Sequence, residues 1–227
     1  MSGSGVHEIY REISGKLGGR ERIQAAEAHA MRRRFSRQIK EMAAKEVVAL
    51  ADLLVQEDRF PSRFMAYALL HHHEPAICSL KAKDVRRLGR GIDSWYDVDT
   101  FGGEVSGQVW RRKGITDKEV LRWTKSKDLW WRRNALVSTV ALNMKSLGGS
   151  GDSRRTLLIC EQLVDDREDM VVKGLSWALR ALVQWDHAGV ESFLNKHSNR
   201  LAARVKREVF NKLTTGLKNP RKIGNPK

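Results

Sequence analysis

Apolar residues at helical spacing constrain the fold of this 227-residue chain most strongly. One face holds Leu136, Val140 and Met144, and the following segment places Leu157 and Cys160 on another face. Spacings of three and four residues are typical of amphipathic helices, whereas the alternation expected of strands is nearly absent. Only four prolines interrupt the chain, at positions 61, 75, 220 and 226. The sequence therefore predicts an all-α fold.

An aspartate recurs just before the apolar or aromatic stretches, at steps of 35, 35 and 41 residues. The copies begin at Asp58, Asp93, Asp128 and Asp169, with a looser fifth copy near Ser198. An aspartate at this place caps a helix or occupies its first turn, where it accepts hydrogen bonds from backbone amides. Two helices per step are typical of HEAT-like repeats, which stack into a solenoid with a concave side. We therefore predict a single HEAT-like domain over residues 1–216 with a concave basic groove, and a basic tail over 217–227.

The charge of the chain limits its partners. Lysine and arginine outnumber aspartate and glutamate by 42 to 27, which gives a formal net charge of +15. Such an excess favours a polyanionic partner, most often nucleic acid. The alternative is a highly charged soluble protein without such a partner.

The cysteines and the chain start exclude other classes. Cys78 and Cys160 lie among apolar residues without a paired ligand spacing, so we expect buried side chains and neither a disulfide scaffold nor a zinc site. The first residues lack the pattern of a signal peptide, and no apolar run approaches the roughly 20 residues of a membrane span. We expect a soluble protein of a reducing, intracellular compartment.

The segment 93–101 concentrates three carboxylates and three aromatic rings in nine residues. In a helix, Trp95 and Asp99 are i,i+4 neighbours on one face. An aromatic ring beside a carboxylate suits a cationic ligand, and a carboxylate can also stabilise an oxocarbenium-like transition state. We expect Asp93 to cap the helix and Asp97 to be solvated. The alternative places Trp95 in the core and leaves Asp99 as a surface acid.

Two further segments combine tryptophan with arginine. Trp177 lies one helical turn before Arg180, although a core position for Trp177 and a solvated one for Arg180 are the plain alternatives. Arg132 and Arg133 follow two tryptophans, an arrangement that suits contact with a nucleic-acid backbone, with a solvated helix face as the alternative. A repeat array would allow these segments to converge with the Trp95 segment on the concave side.

Basic residues also cluster near the end of the chain, where Lys206 and Arg207 lie in the last predicted helix. The histidines at 71–73 invite a metal interpretation, but three consecutive helical residues point in three directions, so we predict no metal site there. Gly102 and Gly103 follow the acidic segment and predict a helix end.

These motifs, in this order, resemble the AlkD-like DNA glycosylases of the DNA alkylation repair family over residues 58–213. The family's Trp-x-x-x-Asp segment, with a tryptophan and the catalytic aspartate, corresponds to Trp95 and Asp99. Its other tryptophan, arginine and late basic segments correspond to Arg133, to Trp177 with Arg180, and to Lys206 with Arg207. The family's N-terminal Gly-Ile/Val-x-x-Pro-x-x-Arg stretch is replaced by Arg33-Arg34-Phe35-Ser36-Arg37-Gln38, so the first repeat diverges.

The resemblance implies a monofunctional glycosylase that hydrolyses the N-glycosidic bond of positively charged N3- or N7-alkylated purines in double-stranded DNA. Asp99 would be catalytic, and Trp95 and Trp177 would contact the lesion and deoxyribose. The residues implied to hold DNA are Arg132, Arg133, Arg180, Lys206 and Arg207. No metal or organic cofactor is implied, and we expect a cytoplasmic, bacterial-type monomer that associates with the nucleoid when acting on DNA.

Three alternatives remain open at this point. A shifted alignment would make Asp97 the catalytic carboxylate instead of Asp99. A non-catalytic HEAT-like protein that recognises distorted or branched DNA by charge would share the same composition. The third alternative is a helical scaffold for protein interactions, and burial of Trp95 and Trp177 in the core would favour a scaffold or a pure binder over the enzyme.

Overall fold

The computed structural model describes residues 4–220, and every regular element in that range is helical. The α-helices are α1 Ser4–Leu17, α2 Ala25–Gln38, α3 Ala44–Gln56, α4 Phe60–His71, α5 Glu74–Ser79, α6 Ala82–Leu88, α7 Trp95–Phe101, α8 Gly107–Arg111, α9 Asp117–Thr124, α10 Leu129–Asn143, α11 Ser153–Gln162, α12 Asp169–Leu182, α13 His187–Lys196 and α14 Ala203–Thr215. A π-helical turn, Gly102–Ser106, joins α7 to α8, and a 3₁₀ turn, Lys145–Leu147, follows α10. The predicted all-α class is confirmed.

The chain forms two compact units, one up to Glu119 and one from Val120. In the first unit, α3 packs against α1 and α4, and α4 also packs against α2 and α7. In the second unit, α10, α12 and α14 pack successively, with α11 against α10 and α12, and α13 against α12 and α14. Such alternating helices are typical of an α-helical repeat. The single domain over 1–216 and the concave groove stay predictions.

Two of the four repeated aspartates begin helices as predicted. Asp128 is the N-cap of α10, and its carboxylate accepts a hydrogen bond from the amide of Trp130 at 2.8 Å. Asp169 lies in the first turn of α12, where a carboxylate stabilises the positive end of the helix dipole. These two acids therefore have the structural role that the repeat predicts.

We expect Asp128→Ala to lower the free energy of unfolding by about 1 kcal/mol, because the amide of Trp130 loses its acceptor. Asp93→Ala is the matched control, since Asp93 is an exposed acid that caps no helix. It should change the free energy by less than about 0.5 kcal/mol. Urea unfolding measures both variants, and equal losses would contradict the assignment of the cap.

Asp58 is not a helix cap, and this prediction is wrong. Helix α4 begins after Arg59, whose backbone is extended, and Asp58 itself has a left-handed φ of 51°. Its carboxylate instead pairs with the buried Arg63 at 2.6 Å, and the same guanidinium donates to the carbonyl of Arg90 at 3.1 Å. The aspartate thus links the loop before α4 to the helix itself.

The two cysteines differ in burial. Cys160 is buried in α11 as predicted, and burial raises the pKa of its thiol. Cys78 is exposed, which corrects the prediction, because the short α5 turns it toward solvent, where its thiol donates to Glu74 at 3.3 Å. Within residues 4–220, no helix combines the length and apolarity that crossing a bilayer requires.

Candidate active site

Helix α7 carries the predicted Trp–Asp pair in the first unit. Trp95 is its first residue and is 44% exposed, so the alternative that places it in the core is excluded. Asp99 follows one turn later and is half-buried. Residues four apart in a helix lie on one face, so ring and carboxylate are directed to the same side. Catalysis by Asp99 stays a prediction.

Trp95 is the end of a row of aromatic rings that the sequence analysis did not identify. Its indole stacks on Tyr96, with ring centroids 3.8 Å apart and planes inclined by 30°. Tyr96 contacts Phe60 at 5.5 Å, and Phe60 contacts Phe64 at 6.2 Å. In the sequence, the i,i+4 spacing of Phe60 and Phe64 was the pattern that could have indicated this row of rings. Exposed and half-buried rings of this kind offer faces on which nucleobases stack.

Asp97 is buried rather than solvated, and Asp93 is not the cap, so both predictions are wrong. Ser94 is the N-cap of α7: its hydroxyl oxygen accepts from the amide of Asp97 at 3.3 Å and donates to Asp97 Oδ2 at 2.8 Å. Asp97 is 6% exposed, and its Oδ1 has no hydrogen-bond partner among residues 4–220. Burial raises the pKa of Asp97, although the hydroxyl of Ser94 and the charge of Arg63 oppose the shift.

We expect Asp97→Asn to remove a pH-dependent penalty on stability. The folded-state pKa of Asp97 lies above its ordinary value of 3.8, so the folded protein holds this proton more tightly than the unfolded chain. Ionisation as the pH rises through that pKa therefore costs stability. The free energy of unfolding of the wild type, measured relative to Asp97→Asn, should fall as the pH rises above the ordinary value of 3.8 and through the raised pKa. Urea unfolding across that range measures it, with Asp93→Asn as the exposed control; a difference that is independent of pH would contradict the shift.

The helix does not end at Gly102 and Gly103, which corrects the sequence prediction. A π turn over Gly102–Ser106 carries the chain directly into α8, and the side chain of Gln108 donates to the carbonyl of Gly103 at 3.0 Å. Single π turns inside helices occur frequently at functional sites. This turn directs Glu104 to His71 at the end of α4, and the two side chains are in contact.

The second unit holds the other predicted tryptophan. Trp177 is half-buried on α12, not fully in the core, and Arg180 follows one turn later. Arg180 Nε donates to Ser176 Oγ at 3.2 Å and lies 3.9 Å from a carboxylate oxygen of Glu208. Burial lowers the pKa of Arg180, and its Nη1 and Nη2 have no hydrogen-bond partner in the described part of the chain. These donors remain available to an anion such as a phosphate.

Glu208 balances the charge of this arginine, a role that no local pattern in the sequence indicates. Its carboxylate is 3% exposed, accepts from Ser176 Oγ at 2.7 Å, and lies 3.6 Å from Lys218 Nζ. A buried carboxylate is retained at low cost only when partners compensate its charge. The cluster therefore fixes α14 to α12 at the position of Arg180.

Arg132 and Arg133 are engaged within the second unit. Arg133 is 5% exposed, and its Nη1 donates to the carbonyl of Met170 at the start of α12. Arg132 pairs with Asp166 at 2.7 Å and donates to the carbonyl of Ser126 at 3.0 Å. A solvated position on the helix face is excluded for Arg133, which is buried. Contact of Arg132 or Arg133 with DNA stays a prediction, and it requires these hydrogen bonds to be exchanged for bonds to DNA.

Lys206 and Arg207 are exposed on α14. Lys206 Nζ donates to the carbonyl of Ser198 at 3.0 Å, a bond that is easily replaced at the surface. Arg207 makes no hydrogen bond or ion pair within residues 4–220. Of the tail, Lys218 pairs with Glu208, and the predicted basic residues Arg221, Lys222 and Lys227 lie outside the described residues.

The chain matches a known protein family. A family model described as "DNA alkylation repair enzyme" matches residues 23–213, from just before α2 into α14. The matched range includes the N-terminal stretch 33–38 that departs from the family pattern. Neither the curated proteins nor the solved structures contain a significant match.

Proposed function

Because the chain belongs to the DNA alkylation repair enzyme family, we propose that it is a monofunctional glycosylase for positively charged N3- and N7-alkylated purines in duplex DNA. The match to residues 23–213 confirms the predicted family. Membership of this family gives the general role, an enzyme of DNA alkylation repair with DNA as its partner. The observation that carries the finer proposal is the exposed Trp95 one helical turn from the half-buried Asp99. Burial of that tryptophan in the core would have favoured a scaffold or a pure binder.

The charge of the leaving base sets the demands on the enzyme. An N3- or N7-alkylated purine is already cationic, so the bond can break without a strong general acid. The main requirement is stabilisation of the positive charge that develops on the sugar. In the proposal, the Asp99 carboxylate stabilises that charge and orients the attacking water. The Trp95 ring packs against the deoxyribose and attracts the cationic base through its π face.

The second unit supplies contacts to the DNA in this proposal. Trp177 is the other tryptophan that the resemblance assigns to the lesion, and its half-buried ring retains an accessible edge or face. Arg180 has unused donors, and Lys206 and Arg207 are exposed cations that suit phosphates. Binding carried by such contacts weakens steeply as salt concentration rises.

The test compares lesions that differ in the charge of the leaving base. One duplex carries a single 7-methylguanine and a matched duplex carries a single uracil, and chromatography measures the free base. We expect release of 7-methylguanine only, with an abasic site in an otherwise intact strand. Equal release of uracil would contradict the account of the leaving group. Tight binding with release of neither base would favour the non-catalytic DNA-binding alternative, which the net charge of +15 also permits.

A further inference from the structure

We propose that His71, His72 and Glu104 form a binding site for a divalent transition-metal ion. One potential ligand atom from each of the three side chains lies within 4.8 Å of the other two. The site goes beyond the proposed glycosylase function, which uses no metal. It lies wholly within the first unit.

The fold assembles this site from two helices, which the sequence pattern did not show. His71 is the last residue of α4 and His72 is its C-cap, so the helix ends where the two rings lie 4.9 Å apart. Glu104 comes from the π turn after α7, and its carboxylate contacts His71 Nδ1. His73 takes no part in the site, because its Nδ1 caps α5 by accepting from the amide of Ala76. A carboxylate from a second element takes the place of that third ring.

The hydrogen bonds at the site leave ligand atoms available. His72 Nδ1 lies 2.8 Å from the carbonyl of Ala68, and because a carbonyl only accepts, Nδ1 carries the proton. The lone pair of His72 is then on Nε2. Metal-bound histidines typically donate their other ring nitrogen to a backbone carbonyl or a carboxylate in this way. A metal ion at His71 would replace the direct contact between its Nδ1 and the carboxylate of Glu104.

A metal ion binds the neutral form of imidazole. Partial desolvation of the His72 ring lowers the pKa of His72, and the nearby Arg32 and His71 lower it further. The hydrogen bond to the carbonyl of Ala68 and the charge of Glu104 act in the opposite direction. Glu104 supplies the negative charge that offsets the ion.

The donor set indicates the class of metal. Two imidazole nitrogens and one carboxylate suit Zn²⁺ and related transition metals rather than Ca²⁺ or Mg²⁺, which prefer oxygen. Ligand atoms around zinc lie roughly 3.4 Å apart, as follows from bonds of about 2.1 Å in a tetrahedron. Because His71 and Glu104 are already in contact, binding of an ion requires the three side chains to adjust their spacing, and their partial exposure leaves room for that movement. Three protein ligands leave a position for water.

Zinc titration of the full-length, untagged protein tests the site. We expect calorimetry to show one Zn²⁺ per chain, and His71→Ala, His72→Ala and Glu104→Gln each to weaken binding by at least about tenfold. The matched controls are Cys78→Ser, an exposed thiol, and His29→Ala, an exposed histidine; both should bind like the wild type. Thermal unfolding in EDTA shows that a variant is folded, and Glu104→Gln keeps the size of the side chain.

Cobalt distinguishes the ligands directly. Co²⁺ bound here should give visible d–d bands without a thiolate charge-transfer band, and these bands should be lost in the three ligand variants. Absence of saturable binding would overturn the proposal and leave a simple side-chain contact between His71 and Glu104. Binding that survives in folded ligand variants, or that disappears with Cys78→Ser, would overturn it as well.

Discussion

Replacing Asp99 by Asn is expected to slow single-turnover release of 7-methylguanine from methylated duplex DNA at least about a hundredfold. The amide has nearly the shape of the carboxylate but lacks the charge that stabilises the developing sugar cation. Affinity for the duplex should change little, because phosphate contacts supply most of the binding free energy. Base release is measured by chromatography, and affinity by fluorescence anisotropy at fixed salt concentration.

Two neighbouring carboxylates provide the controls for Asp99. Asp93→Asn changes an exposed acid in the same segment and should leave base release unchanged. Asp97→Asn changes the buried acid at the start of α7; it should alter the pH dependence of stability but retain most of the activity. Loss of release with Asp97→Asn and full activity with Asp99→Asn would transfer the catalytic assignment to Asp97.

Glu208→Ala is expected to lower the free energy of unfolding by about 3 kcal/mol. The substitution removes the acceptor of Ser176 and leaves Arg180 partly desolvated without its counter-charge. Breaking a buried pair costs far more than its net contribution, because the remaining charge stays in a poor environment. Urea denaturation followed by circular dichroism measures the loss.

The exposed Glu191 on α13 is the matched control for this prediction. Glu191→Ala should change the free energy of unfolding by less than about 0.5 kcal/mol. The loss of unfolding free energy with Glu208→Gln should lie between those of Glu208→Ala and Glu191→Ala, since the amide oxygen can still accept from Ser176 but carries no charge. Similar small effects for all three variants would contradict the role of the cluster.

Local patterns in the sequence predicted the helices well, because apolar periodicity reports directly on which side of a helix is buried. The stretches after Asp58, Asp93, Asp128 and Asp169 are all helical, as predicted. The residues that cap these helices were less predictable, since a serine one position after the aspartate can be the N-cap instead, as Ser94 is for α7. The shared face of Trp95 and Asp99 needed only the period of the α-helix.

Tertiary contacts explain the features that the sequence did not reveal. Asp97 is buried in a helix that packs against α4, and Glu208 is buried because α14 packs against α12. Gly102 and Gly103 favour a helix end by local propensity, yet the structure uses them in a π turn that directs Glu104 to His71. Such pairings join residues more than 30 positions apart, so no local pattern encodes them.

The most direct test of the glycosylase proposal is base release by the wild-type protein from methylated duplex DNA. The account predicts free 7-methylguanine or 3-methyladenine, with abasic sites that break only on treatment with alkali. The yield should rise with protein concentration above that of a protein-free sample. Tight, salt-sensitive binding of the same duplex without any released base would contradict the account and identify a DNA-binding protein without glycosylase activity.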